Sequence, residues 1–323
     1  MLEHAKARID LTERPPVWAW SELGSVCVMP EAVEVLKDRK DSKVYRLASA
    51  GPGGSNVIAK WCSQANALVE RTIYEKVLSR LPFPTLRYYG LLEEEGSEFC
   101  WVFIEDAGGV RYCPDIEEHC VLAAEWLGVL HTSGVELVAE LGLTEMGPGH
   151  YLGGLRSARE RIQRNLRSPD LSDEDRAVLA AIATQCDIVE LRWSQIEEYC
   201  DGIPRTFVHG DCHGGNLRVR TSETGSAVVF FDWEGAGWAV PAVDLALAGL
   251  HIPTYWSVVR KSWPGVEMRS LRRLANAGKI FQLLALVDWE SKALAYQWPW
   301  KLMKHMRYYG TEMSHAIEAA GLL

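Results

Sequence analysis

The stretch that decides the fold reads Phe-Val-His-Gly-Asp-Cys-His-Gly-Gly-Asn at residues 207–216, and Val-Val-Phe-Phe-Asp-Trp-Glu follows at residues 228–234. Each apolar run is typical of a buried strand, and each leads to a carboxylate, Asp211 or Asp232. The glycine-bearing loop after the first run adds the amide of Asn216. We expect these three side chains at neighbouring strand ends, where their oxygen atoms converge. Ligands that are all oxygen suit Mg²⁺.

This order of His-Gly-Asp, four residues, Asn, and then an apolar strand ending in Asp resembles the aminoglycoside phosphotransferase and choline kinase superfamily, which has the protein-kinase fold. The resemblance implies that Asp211 accepts the proton of a substrate hydroxyl group. It also implies that Asn216 and Asp232 hold the metal ions that bridge the nucleotide phosphates. ATP would be the phosphate donor, with GTP left open, Mg²⁺ the metal, and a small molecule with a hydroxyl group the acceptor.

Three residues of the same loop allow an alternative interpretation. His209, Cys212 and His213 carry transition-metal ligand atoms, but the chain has no second Cys or His pair at zinc spacing. Taken singly, Asp211 and Asn216 are also typical of turns. Their joint spacing with Asp232 favours phosphoryl transfer, and His209 is then expected to support the loop.

Composition narrows the class of protein. A chain of 323 residues with 48% hydrophobic and 24% charged residues is typical of a globular enzyme large enough for two lobes. The charged N-terminus, the absence of a long apolar run and eight cysteines without framework spacing predict a cytoplasmic protein with no membrane partner. The formal net charge of −9 argues against nucleic acid as a partner and favours a cationic small molecule.

In the N-terminal part of the chain, two short apolar runs at residues 33–36 and 44–47 predict a strand–loop–strand hairpin. In the resemblance this hairpin covers the phosphates, although its loop contains no glycine. Ser42 and backbone amides would bind phosphate there, and the four basic residues of the loop would add positive charge. The glycine-rich residues 51–54 lack the lysine of a Walker loop, so they are expected to form a turn.

Lys60 ends the next apolar run, at residues 56–61, and resembles the kinase lysine that contacts the α- and β-phosphates. Residues 66–81 follow with a helical pattern. Glu70 precedes Tyr74 by one helical turn, as in family members, so Glu70 is assigned as the partner of Lys60. Glu75 is the competing candidate.

Strands are also expected at residues 86–92 and 99–104. In the resemblance a hinge follows, where backbone groups of Phe103, Ile104, Glu105 and Asp106 bind the adenine edge. This assignment rests on the order of the elements alone.

Beyond that segment the pattern is helical, with predicted helices at residues 116–131, 151–167 and 177–199. The predicted fold class is α+β, a two-lobe protein-kinase-like fold. A small antiparallel-sheet lobe would span residues 1–106, and a mainly helical lobe with the catalytic loop and the acceptor site would span residues 107–323.

Residues 235–246 resemble a further family segment, in which Asp244 is expected to anchor the catalytic loop by accepting backbone hydrogen bonds. The leading candidate for the substrate is an aminoglycoside or another antibiotic, which would make the protein a resistance enzyme. Acidic side chains would hold its ammonium groups and an aromatic ring would wall the site, although each is also typical of a solvated helix face. These candidates are Asp115, Glu117, Glu118, Asp288, Glu290 and Trp289.

Two alternatives remain at this point. One is a metabolic kinase for choline, homoserine or a similar alcohol, which an aromatic rather than carboxylate-lined site would favour. The other is a nucleotide-binding pseudokinase that acts as an interaction module. The presence of Lys60, Asp211 and Asp232 argues against a pseudokinase.

Overall fold

The computed structural model describes residues 15–24, 28–138, 141–223, 225–295 and 300–323, without the side chains of residues 134–138, 295, 300 and 301. These residues pack into two units. The first comprises the chain up to Tyr112 together with Gly215–Gly235, and the second comprises Cys113–Gly214 and Ala236–Leu323. The chain therefore leaves the first unit and returns to it once. From the sequence, a single boundary between two lobes was expected after Asp106.

The elements of the N-terminal half are α1 (Pro15–Glu22), β1 (Ala32–Asp38), β2 (Lys43–Ala48), β3 (Val57–Ser63), α2 (Gln64–Lys76), β4 (Tyr88–Glu93), β5 (Phe99–Glu105), β6 (Val110–Arg111), α3 (Glu117–Val138) and α4 (Pro148–Asn165). Those that follow are α5 (Asp173–Leu191), α6 (Trp193–Cys200), β7 (Thr206–Val208), β8 (Leu217–Ser222), β9 (Gly225–Phe230), β10 (Gly237–Ala239), α7 (Ala242–Leu245), α8 (Ile252–Val259), α9 (Met268–Ser291) and α10 (Trp300–Ala319).

The first unit is built on an antiparallel sheet in the order β1-β2-β3-β5-β4. Its predicted hairpin is confirmed, since β1 and β2 pair antiparallel with Val33 opposite Leu47. The glycine-rich segment forms a 3₁₀ turn at Pro52–Gly54 between β2 and β3, as expected. A second sheet in the same unit, in the order β6-β8-β9, is formed where the chain returns.

Alternation of side chains along the strands gives the sheet two faces. One face forms the core of the unit, in which α1 packs its Trp20 ring 5.3 Å from the Phe103 ring. Val57 and Ala59 of β3 are fully buried in this core. The neighbouring positions on β3, among them Lys60, therefore point to the opposite face.

Helix α2 begins directly after β3. The Ser63 side chain accepts a hydrogen bond from the Asn66 amide at 3.4 Å and caps the first turn. The α-helix ends at Lys76, and a 3₁₀ turn at Leu78–Arg80 completes the segment, so the predicted helical end at residue 81 was too late. The end of β3 thus fixes where α2 starts.

The second unit is mainly helical, as predicted, with a short antiparallel pair of β7 and β10. Helices α3 and α4 confirm two of the predicted helices. The helix predicted for residues 177–199 is divided in two, because the backbone at Arg192 leaves the helical conformation between α5 and α6. Among the described residues, the longest helices are too polar to cross a lipid bilayer.

Gly278 allows α9 to pack closely against α7. A Cβ atom at this position would lie 1.8 Å from the carbonyl oxygen of Ala242. Replacing Gly278 by Ala is therefore expected to lower the free energy of unfolding by about 3 kcal/mol, because backbone has to move. The matched control is Gly153→Ala in α4, where a Cβ meets nothing within 4 Å. That change should stabilise the helix by roughly 0.5–1 kcal/mol. Urea denaturation compares the two variants, and equal effects would contradict the packing described.

Candidate functional site

A cavity of about 230 Å³ lies within the first unit, and every residue that lines it belongs to that unit. Its apolar lining consists of Leu36, Val44, Ile58, Leu86, Ile104, Ala107 and Phe231. Its charged lining consists of Lys37, Arg46, Lys60, Glu70, Glu105, Asp106, Arg218 and Asp232. An elongated ligand with an apolar ring and an anionic tail suits such a mixture of groups.

Lys60 lies in β3 and is only 7% exposed. Its ammonium group donates hydrogen bonds to the carboxylates of Glu70 in α2 and of Asp232 after β9. A third carboxylate, Glu234 Oε2, lies 3.2 Å from Nζ. One buried cation therefore holds three carboxylates together, and the predicted pairing of Lys60 with Glu70 is present.

The charges of this cluster shift the pKa values of its members. Burial opposes the charged form of Lys60, but the carboxylates of Glu70, Asp232 and Glu234 outweigh it and raise the pKa of Lys60 well above its ordinary value. Burial raises the pKa of Glu70 to about 7 against the attraction of Lys60. Both directions have one cause, which is that three carboxylates share a single ammonium group away from water.

The competing carboxylate of Glu75 does not reach this cluster. It lies on the exposed side of α2, where it accepts a hydrogen bond from Arg71 at 3.3 Å. The difference follows from helical geometry, since residues five apart on a helix do not share a face.

The carboxylates around Lys60 fit a hard divalent cation. Ligand oxygens of Glu70, Asp232 and Glu234 lie within 4.8 Å of one another, and no other group of three such ligands was found in the described part of the chain. Glu70 Oε2 is buried and has no hydrogen-bond partner among the described residues. Three carboxylates against one ammonium leave a surplus of negative charge, which Mg²⁺ would neutralise.

The loop after β9 and the start of β8 lie side by side. The Asn216 carbonyl accepts a hydrogen bond from the Phe231 amide at 3.1 Å, which places Asn216 beside the residue that precedes Asp232. Asp232 has a φ of 69°, in the left-handed region that residues other than glycine rarely adopt. Such backbone strain is typical of functional positions.

The alternative metal site at His209, Cys212 and His213 gains no support, because those residues form no ligand group in the described chain.

The end of β5, with Asp106 directly after it, differs in detail from its predicted use as the site of the adenine edge. Ile104, Glu105 and Asp106 line the cavity, but the Phe103 side chain is fully buried in the core on the opposite face of the sheet. The amides of Glu105 and Asp106 already donate to the carbonyls of Arg87 and Asn56. The amide of Ala107, in contrast, has no hydrogen-bond partner within the described residues.

Ser42 and Arg46 contribute differently to this region. Ser42 is not part of the cavity lining, and its buried hydroxyl oxygen has no hydrogen-bond partner in the part of the chain that the structure describes. Arg46 lies in the lining and donates to Asp106 at 2.6 Å and to Glu34 at 2.7 Å. Arg46 was not predicted from the sequence, although its spacing of two from Val44 on β2 puts both on the cavity face. Glu234 was likewise not predicted as a neighbour of Lys60.

In the second unit, Asp244 is fully buried and holds the loop that carries Asp211. Asp244 accepts hydrogen bonds from the backbone amides of His209 at 2.7 Å and Gly210 at 3.0 Å, as predicted. His131 Nε2 lies 3.1 Å from the same carboxylate, and its Nδ1 lies 2.8 Å from the Tyr255 hydroxyl. Burial alone would raise the pKa of Asp244, but the hydrogen bond and charge of His131 lower it below its ordinary value.

Asp211 is the next residue in the chain after His209 and Gly210, whose amides Asp244 holds. Its amide donates to Nδ1 of the fully buried His209 at 3.3 Å, which is consistent with a supporting part for His209. Gln282 of α9 donates to the Cys212 carbonyl at 3.4 Å and holds the other side of the loop. The sequence offered no signal for Gln282, since a lone glutamine in a helix is typical of a solvated face.

Three of the residues predicted to bind the acceptor already interact with other side chains of the protein. Asp288 pairs with Arg161 and, at 3.2 Å, with Lys292, while Glu290 lies 2.6 Å from His305. The exposed Trp289 ring lies under Lys292.

The other acidic candidates are solvated. Asp115 is exposed, and Glu117 and Glu118 are exposed in the first turn of α3, where acidic residues stabilise a helix. None of these residues lines the cavity of the first unit.

Comparison with known proteins adds independent findings. The model of the phosphotransferase enzyme family matches residues 63–264 of the chain. A sequence search of curated proteins gives no match.

Among solved structures, spectinomycin phosphotransferase APH(9)-Ia in complex with ADP and spectinomycin has a TM-score of 0.61 at 11% identity, covering 91% of this chain and 94% of that one. Choline kinase from Cryptosporidium parvum has a TM-score of 0.59 at 12% identity, covering 90% and 91%. Plasmodium vivax ethanolamine kinase has a TM-score of 0.58 at 12% identity, covering 90% and 84%. At these identities the likeness shows the fold, and it confirms the predicted α+β, protein-kinase-like class.

Proposed function

Because the chain belongs to the phosphotransferase enzyme family, we propose that it transfers the γ-phosphoryl group of ATP to a hydroxyl group of a small molecule. The observation that carries this proposal is the buried Lys60 ammonium held among Glu70, Asp232 and Glu234 in a cavity of the first unit. Phosphoryl transfer requires a cation that positions the phosphates and ligands for Mg²⁺, and the lysine and the carboxylates around it can supply both.

The nucleotide base is assigned to the apolar part of the cavity. The amide of Ala107, which has no partner among the described residues, can donate to a ring nitrogen of adenine, and Ile104 and Leu36 supply apolar surface for the ring. This replaces the amides of Glu105 and Asp106, which are engaged within the protein. Spectinomycin phosphotransferase, a structure of the same fold, was solved with ADP, which supports a nucleotide as the ligand here.

The phosphates are assigned to Lys60, which Glu70 holds in position. Asp232 and Glu234, whose carboxylates lie together, would hold Mg²⁺, and Asn216 would join them because its backbone lies beside Phe231. When bound, the metal neutralises negative charge on the phosphate oxygens. Ser42 remains a candidate phosphate ligand, because its buried hydroxyl group has no partner within the described part of the chain.

Asp211 is proposed as the general base. In the reaction the acceptor oxygen forms a bond to the γ-phosphorus, the bond from that phosphorus to the β–γ bridging oxygen breaks, and the hydroxyl proton passes to the Asp211 carboxylate. Asp244 and His209 contribute by fixing the backbone on which Asp211 lies. Such positioning raises the rate because it holds the base in reacting geometry.

The leading acceptor remains an aminoglycoside or another antibiotic, which would give the protein a part in resistance. The net charge of −9 favours a cationic acceptor, and spectinomycin phosphotransferase, which shares the fold, was solved in complex with spectinomycin. A choline-, ethanolamine- or homoserine-type alcohol is the second candidate, supported by the fold of the choline and ethanolamine kinases. Because Asp288 pairs with Arg161 and Glu290 lies 2.6 Å from His305, a cationic acceptor would have to compete with these side chains for the two carboxylates.

Turnover against an acceptor panel tests this proposal. Purified protein is incubated with Mg²⁺ and ATP, and ADP release is followed with aminoglycosides, spectinomycin, choline, ethanolamine and homoserine. We expect acceptor-dependent ADP release with one chemical class. Nucleotide binding without turnover on any acceptor would favour the pseudokinase instead.

Glu70 and Glu75 provide a matched pair on one helix. Replacing Glu70 by Gln removes the charge that holds Lys60 extended, so kcat/KM for ATP is expected to fall about 10²-fold. Glu75→Gln removes an exposed charge that pairs with Arg71, so it should change kcat/KM by less than about twofold. Steady-state kinetics with ATP varied compares the two, and similar losses in both variants would contradict the assigned pairing.

A further inference from the structure

We propose that Arg218 is a nucleoside-binding residue, whose guanidinium group and the Phe231 ring form the wall against which a purine base stacks. This inference rests on the proposed function, since it takes a purine nucleotide as the occupant of the cavity in the first unit. It assigns Arg218 to the nucleoside and not to the phosphates.

Arg218 and Phe231 come from the same hairpin. Arg218 lies at the start of β8, and Phe231 follows the end of β9. The guanidinium carbon of Arg218 lies 5.2 Å from the centre of the Phe231 ring, and both residues line the cavity. The planar cation therefore covers an aromatic ring and also reaches the cavity.

The rest of the lining suits a flat apolar ring. Leu36, Val44 and Ile58 line the cavity from the five-stranded sheet, whereas Arg218 and Phe231 line it from the hairpin of the three-stranded sheet. An aliphatic wall from one sheet and a planar wall from the other would enclose a purine base.

Arg218 keeps hydrogen-bonding capacity that its neighbours have used. Its Nη1 donates to the carbonyls of Gly215 at 3.0 Å and Leu217 at 2.8 Å. Its Nε and Nη2 have no partner, and it forms no ion pair with a carboxylate, among the residues that the structure describes. Arg46 and Arg220 differ, since each forms an ion pair with a glutamate or aspartate.

A purine ring would suit this guanidinium group, because an electron-rich ring with acceptor nitrogens can stack on the planar cation and accept a hydrogen bond from Nε or Nη2.

Binding of adenosine, which lacks phosphates, separates a nucleoside contact from a phosphate contact. Competition against a fluorescent ADP analogue gives the affinities of the wild-type protein and of Arg218→Ala for adenosine and for ADP. We expect Arg218→Ala to weaken both ligands by the same factor, about tenfold. Arg218→Lys keeps the charge but loses the planar group, so it should remain at least about threefold weaker than the wild type for both.

Arg71→Ala is the control, because Arg71 pairs with Glu75 on the exposed side of α2 and does not line the cavity. It should leave both affinities unchanged, and thermal melting of each variant verifies folding. Unchanged adenosine affinity in Arg218→Ala would overturn the inference, and so would a loss confined to ADP, which would indicate a phosphate contact. If the wild-type protein bound neither ligand, the proposed function itself would fail.

Discussion

Replacing Asp211 by Asn is expected to lower kcat about 10³-fold while the affinity for ATP changes by less than about threefold. The amide has nearly the same size as the carboxylate, but it cannot accept the proton that the acceptor hydroxyl group loses. The backbone hydrogen bonds from His209 and Gly210 to Asp244 do not involve the Asp211 side chain, so the loop should keep its conformation. Single-turnover kinetics and nucleotide titration measure the two effects separately.

The control for this change is Asp201→Asn, an exposed aspartate at the end of α6 in the same unit. It should leave kcat and nucleotide affinity as in the wild type. A variant with Asn at position 211 that retained a tenth or more of the wild-type kcat would contradict the assignment of Asp211 as the base.

Replacing Asp244 by Ala is expected to lower the free energy of unfolding by about 4 kcal/mol. The change leaves the amides of His209 and Gly210 and the ring of His131 without their common acceptor, in a part of the second unit that excludes water. Because these amides hold the loop of Asp211, kcat should fall as well, by about 10²-fold. Urea denaturation measures the first effect and steady-state kinetics the second.

Tyr255→Phe is the matched change in the same network, because it removes only the hydroxyl group that lies 2.8 Å from His131 Nδ1. Its expected cost is about 1 kcal/mol. Since the folded-state pKa of Asp244 is lowered, its stabilising effect is present above the pKa of the unfolded chain and is lost as the pH falls through the folded value. The difference between wild type and Asp244→Ala should therefore shrink under strongly acidic conditions. A difference that grew towards acid would contradict the network.

Local pattern predicted those parts of the fold that depend on neighbouring residues. The hairpin, β3 ending near Lys60 and the helix that follows could be predicted because strand alternation and helical spacing are properties of short segments. The pairing of Lys60 with Glu70 followed from the order of these elements and from the family resemblance.

Long-range packing explains what the sequence did not reveal. The return of residues 215–235 to the first unit depends on the pairing of β8 with β6, which no local pattern encodes. The burial of Phe103 depends on Trp20, 83 positions earlier in the chain. Asp288 was predicted to bind the substrate, but it forms an ion pair with Arg161 of a helix far away in the sequence. This carboxylate therefore stabilises the packing of the two helices.

The groups proposed to bind the nucleotide through free hydrogen-bonding capacity were hardest to predict. The Ala107 amide and the Nε and Nη2 atoms of Arg218 stand out only because, among the described residues, neighbouring groups have hydrogen-bond partners and these do not. Such a difference appears only when the hydrogen bonds of a whole region are assigned, which requires the folded structure.

The most direct test of the account is a crystal structure of the protein with AMP-PNP and Mn²⁺ in place of Mg²⁺, because Mn²⁺ can be located by its anomalous scattering. The account predicts the nucleotide phosphates beside Lys60, the base in the cavity that Ala107 and Phe231 line, and an anomalous peak at Asp232 and Asn216. A nucleotide bound elsewhere, or a metal peak away from Asp232, would contradict it.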